Sequence, residues 1–115
     1  TMDEKIKELI KEPMSKIPKS NQQAINSFDW LKKCQEIGEK HNLFDDESVG
    51  VNDLTALKTE VALVLIGLSD LKTLHRYIDD EIGGTGWQEI EDEIIENIFS
   101  PIGEILEIIE KYDAY

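Results

Sequence analysis

Cys34 is the chain's lone cysteine, so no disulfide can close within it, and a disulfide-stapled scaffold is excluded. Long apolar runs are missing too. The longest is Val61-Ala62-Leu63-Val64-Leu65-Ile66, which Gly67 closes. A membrane-crossing helix needs about 20 such residues, so this run predicts a buried core helix and no membrane association. The start of the chain is charged (Asp3, Glu4, Lys5) and no apolar leader follows it. No targeting segment is expected, and the expected location is cytoplasmic. Basic residues are scarce: 12 Lys and Arg stand against 25 Asp and Glu, for a net charge of −13. Phosphate contacts need a basic face, so direct binding to nucleic acid is not expected. An anionic membrane surface would repel the chain as well.

The charge is also unevenly placed. Residues 79–115 hold twelve acids and one base, Lys111, whereas residues 1–78 hold 13 acids and 11 bases. A cationic protein is the partner that such a segment favours. The 115 residues suit one domain with one core, and 40% of them are hydrophobic.

Apolar spacing is helical throughout. Met2, Ile6, Leu9 and Ile10 make a first stripe, and Pro13 and Pro18 predict a linker over residues 12–19. Residues 1–18 are thus an amphipathic arm with a proline-containing linker, and residues 19–115 a single acidic helical domain. Ser20 with Gln23 predicts a capping box opening a helix to about His41, with Asn42 as a left-handed stop. Ala24, Phe28, Leu31, Cys34 and Gly38 form its stripe. After a polar loop, Asn52 is the predicted cap of a third helix, apolar all round over 61–66 and therefore central. Ser69 is the predicted cap of a fourth, whose face carries Leu71, Leu74, Ile78 and Ile82. Thr85 with Gln88 predicts another capping box, followed by Trp87, Ile90, Ile94 and Ile98. Ser100-Pro101 reads either as a fresh helix start or as a kink in one long helix. The fold expected is all-α, a compact bundle of five to six short helices.

Sites that would carry chemistry are weak. Loop 45–52 has some acids of a calcium loop, but Val49 and Ala56 stand where two ligands are required. No glutamate sits three residues ahead of His41 or His75, so the Glu-x-x-His signature of di-metal bundles is absent. Near a helix end, His41 suits a capping role. Cys34 lies on an apolar stripe and reads as a small core residue. The glycines around Thr85 lack a phosphate-binding lysine. No catalytic residue, metal ligand or cofactor is expected, and an enzyme is not predicted. Lys32, Lys33 and Lys40 are too few for a recognition helix.

What remains is binding. The expectation is an acidic helical module that binds a basic protein, an inhibitor or immunity-type protein covering a nuclease or another nucleic-acid-binding partner. Its contact residues would be Asp79, Asp80 and Glu81, the Glu89, Asp92, Glu93 and Glu96 face, and Trp30, which lies beside its stripe and is expected to be exposed. In size, acidity and helicity the chain is similar to bacterial immunity proteins and phage counter-defence inhibitors. That likeness is one of kind and implies the same inhibitor role. The alternative is a structural or assembly subunit, forming homo-oligomers or part of a larger particle, with the N-terminal arm docking on a neighbour and Trp30 or Phe44 at the contact.

Overall fold

Helix breakers and apolar stripes divide the chain into helices that pack around one of them. The computed structural model describes residues 2–84 and 86–113. Helix α1 (Met2–Ser15) buries Ile6 and Ile10. It runs through Pro13, whose missing N–H costs one hydrogen bond to the carbonyl four residues back, and it ends within a turn. There the Ser15 hydroxyl donates to the Glu12 carbonyl at 2.6 Å. The linker predicted over 12–19 therefore shrinks to the few residues before α2 (Lys19–Asn26), where Pro18 is extended at φ −55° and ψ 146°. Ser20 lies inside α2 and does not cap it; no side chain does.

The single helix expected from Ser20 to His41 is two helices. Ser27 turns its hydroxyl back onto the Ala24 carbonyl at 2.6 Å. Asp29 then accepts the Lys32 backbone N–H at 3.0 Å and starts α3 (Trp30–Lys40). These short polar side chains offer the backbone partners outside the helical ladder, and that ends one helix and opens the next. The stop at Asn42 agrees with expectation: φ is 61°, and the Leu43 N–H reaches the Gly38 carbonyl at 2.8 Å, closing a Schellman turn.

A two-stranded ribbon follows, β1 (Asp45–Asp46) with β2 (Val51–Asn52), antiparallel with Asp45 opposite Asn52. Helix α4 (Asp53–Leu65) comes next. Asn52 makes no side-chain cap to it. Asp45 caps it instead, from ten residues upstream, accepting the Thr55 N–H at 3.0 Å. Gly67, at φ 79°, ends the segment in a second Schellman turn, with the Leu68 N–H on the Leu63 carbonyl at 2.9 Å. Helix α5 (Leu71–Tyr77) is capped by Asp70, one residue after the predicted Ser69; its carboxylate accepts the Thr73 N–H at 2.7 Å. That bond holds the Asp70 carboxyl below the usual aspartate range. A π turn (Ile78–Ile82) extends α5.

Helix α6 (Trp87–Ile94), a second π turn (Ile95–Phe99) and α7 (Ser100–Asp113) run on as one rod over 87–113. Ile95 and Ser100 both keep right-handed helical angles, so the helix runs on through Pro101 and does not restart there. The wider i→i+5 turn just ahead of Pro101 relieves the clash between the proline ring and the preceding turn. The predicted Thr85 cap lies outside the described residues.

The chain is an all-α bundle, 79% helical, with only the small ribbon in addition. Its extents are 52 × 28 × 21 Å. The core gathers Leu57, Val61 and Ala62 of α4 with Leu31 and Cys34 of α3, Leu74 of α5, Ile78 of the π turn after it, and Ile90, Ile94 and Ile98 of the rod. α1, α3 and α5 pack on α4, α6 on α3, and α7 on α2. Each such fully buried aliphatic side chain contributes roughly 1.5–3 kcal/mol. No helix among the described residues is long and apolar enough to cross a membrane.

Candidate functional site

The rod and the turn ahead of it carry the acidic segment. Asp79, Asp80 and Glu81 lie in the π turn Ile78–Ile82, and all three are exposed. This turn packs against α6, so they come close to the second predicted group. Glu89 and Asp92 on α6 and Glu96 on the second π turn are exposed too, at an i, i+3, i+7 spacing that shares one helix face. Farther along, Glu104, Glu107 and Glu110 continue the acidic row on α7. Sequence reasoning counted these three among the acids but did not place them at the site. Their three-residue spacing was the available signal.

Glu93 departs from the predicted face. Its carboxylate turns toward α3, where Lys40 and His41 hold it; His41 Nε2 lies 2.8 Å from Oε2 and Lys40 pairs with Oε1. Burial works to raise the Glu93 carboxyl. Hydrogen bonds from Lys40 and His41, together with their charges, outweigh it and hold the group below the usual glutamate range. The same bond raises the Lys40 ammonium. His41 is thus an interhelix clasp as well as the residue at the end of α3. Likewise, His75 Nδ1 lies 2.7 Å from Glu91 Oε2, and the His75 ring meets Trp87 edge-on at 5.2 Å. Both histidines of the chain tie neighbouring helices to α6.

Trp30 is corrected outright. It is 6% exposed, at the start of α3, and belongs to the core. At the first residue of α3 it joins Leu31 and Cys34 in the core, so the buried stripe is wider there than the spacing alone indicates. Phe44, by contrast, is 54% exposed.

The sequence did not reveal a buried base. Lys58 on α4 is 4% exposed, and its Nζ donates to Asp3 Oδ1 of α1 at 2.7 Å and to Gln35 of α3. It forms the floor of a cleft of about 440 Å³ that Asp3, Glu39, Phe44 and Asp45 also line. The polar groups of that cleft are already engaged, since Gln35 also donates to Glu39 and Asp45 caps α4. In the 45–52 loop, Asp46 accepts from the Ser48 N–H and hydroxyl, so both aspartates there serve the fold. Among the described residues, no group of three or more His, Cys, Asp or Glu side chains is placed to hold a metal ion. Cys34 is fully buried, and burial pushes its thiol up to about 12.

The chain matches no protein-family model, no curated protein and no solved structure.

Proposed function

We propose that the chain is a protein-binding module whose acidic rod covers a cationic surface, as an inhibitor of a nuclease or of another nucleic-acid-binding protein would. One observation carries the reading. Asp79, Asp80, Glu81, Glu89, Asp92, Glu96, Glu104, Glu107 and Glu110 are all exposed, and none forms a salt bridge among the described residues. On the rod, Glu89, Asp92 and Glu96, and again Glu104, Glu107 and Glu110, lie three or four residues apart, about 4.5–6 Å along the axis; Glu104 follows Glu96 by eight residues. Like charges at that spacing repel by roughly 0.2–0.5 kcal/mol per pair. Within the fold Glu89 acts on the Lys40 ammonium, and a basic partner would relieve the remaining repulsion. Binding of this kind is fast and weakens with salt.

The test is affinity capture with the native chain beside a variant carrying Glu89→Gln, Asp92→Asn and Glu96→Gln, with the bound proteins identified. A single basic protein held stoichiometrically by the native chain, released by salt and lost by the variant, is the expected result. Equal capture by both chains removes the acidic face from the account.

A second reading, an assembly subunit, keeps some support from exposed apolar side chains: Phe44, and Ile108 with Tyr112 one turn apart on α7. Its original motive has weakened, because the arm packs on its own chain through Ile6 and Ile10. Sedimentation over a range of concentrations separates the two readings.

A further inference from the structure

One cleft is lined by basic and no acidic side chains. It occupies about 410 Å³ between α1 and α2. Lys7 and Lys11 line it, four residues apart on one face of α1, and Ile10 and Met14 form the next row at the same spacing. No Asp or Glu takes part in its lining, although the chain carries 25 of them. Neither lysine forms a salt bridge among the described residues. Trp30 closes the floor.

The Trp30 indole has an unusual position. The residue is more than nine-tenths buried, yet its N–H has no acceptor among the described residues. No fully enclosed side-chain nitrogen or oxygen there lacks a partner, so this N–H reaches open space. Trp30 lines this cleft and also an adjoining hollow of about 350 Å³ walled by Ile25 and Phe28. Asp29 also borders the hollow, with its carboxylate taken by the Lys32 N–H. Asn26 is shared by both openings, and its amide has no hydrogen-bond partner among the described residues. Apolar walls, a few convergent donors and a volume of several hundred Å³ are what a small-molecule site needs. Two ammoniums, an indole N–H and the Asn26 amide N–H can donate there, while Gln22, whose Nε2 donates to the Ile17 carbonyl, keeps its oxygen as an acceptor.

We propose that this cleft binds a small organic carboxylate with an apolar body, its tail on Ile10, Met14 and the Trp30 ring and its carboxylate among Lys7, Lys11 and the Trp30 N–H. The chain's overall negative field opposes an anion, but charge beyond the Debye length, about 8 Å at physiological salt, is largely screened. No residue of the acidic rod lines the site.

The test uses octanoate, below its micelle-forming range, on the full ¹⁵N-labelled chain. The two tryptophan indole N–H signals are followed by NMR and assigned through Trp30→Phe. The expected result is a saturable shift of the Trp30 signal at one octanoate per chain, with Trp87 unmoved. A Lys7→Gln, Lys11→Gln double variant, which leaves the core untouched, should weaken binding about tenfold or more, and octanol should bind at least as weakly. An unmoved Trp30 signal, equal affinity in the double variant, or equal binding of octanol would overturn the proposal.

Discussion

Removing Asp3 should destabilise the fold more than removing Lys58, although Lys58 is the buried partner. Lys58 sits on the central helix with its ammonium out of water, held by Asp3 and Gln35. An Asp3→Ala change leaves that ammonium facing one neutral amide. Breaking a buried pair in this way costs about 3–5 kcal/mol when both partners are enclosed. The Asp3 side chain is 38% exposed, so water can replace part of what is lost. A loss of about 1–3 kcal/mol follows, in line with a charge-assisted hydrogen bond. Lys58→Met keeps the aliphatic stem between α1, α3 and α4 and removes the ion from the interior. It frees Asp3 toward solvent, so its effect should stay within about 1 kcal/mol of zero, of either sign. Urea unfolding followed by circular dichroism gives each value by linear extrapolation. The double variant should match Lys58→Met alone, because the penalty of Asp3→Ala exists only while the ammonium is present. If Lys58→Met proves the costlier single change, or if the two effects add, the reasoning fails: Lys58 would then matter for its shape or for partners other than Asp3.

Two further outcomes follow from the charged and buried groups. Glu93 is held below the ordinary glutamate range by Lys40 and His41 against the effect of burial, so it contributes stability above about pH 4.3, its unfolded value, and loses it as pH falls through the folded one. Glu93→Gln should therefore lower stability at pH 7, and its gap to the native chain should close in acid; a gap that widens below pH 4 contradicts the assignment. The Cys34 thiol, pushed up to about 12 by burial, should react with an aromatic disulfide reagent at least about 10³-fold more slowly than in the urea-unfolded chain, and prompt labelling of the folded protein would show that α3 does not enclose it.

Local chemistry made much of the fold legible. The stop at Asn42 and the closure at Gly67 follow from residues that tolerate positive φ, and the central role of α4 from an apolar run with no polar face. The break between α2 and α3 was not legible, because the apolar stripe continues in phase across Ser27 and Asp29 and periodicity cannot register a break that preserves it. The acidic segment is visible as a count, but its use is divided. Glu93 and Glu91 turn inward to histidines that lie 52 and 16 residues away in sequence, while Glu89, Asp92 and Glu96 stay in water.

By itself the sequence determined that the protein is helical, acidic at one end and free of disulfides, because those properties depend on residue type and on spacing within a few turns. Tertiary structure decided what no local rule reaches. It chose Asp45 as the cap of a helix that begins beyond the ribbon, and it buried Trp30 while leaving Phe44 exposed. It also brought Asp3, Gln35 and Lys58 together from three helices. Each of these depends on which helix lies against which, and packing is a property of the whole chain.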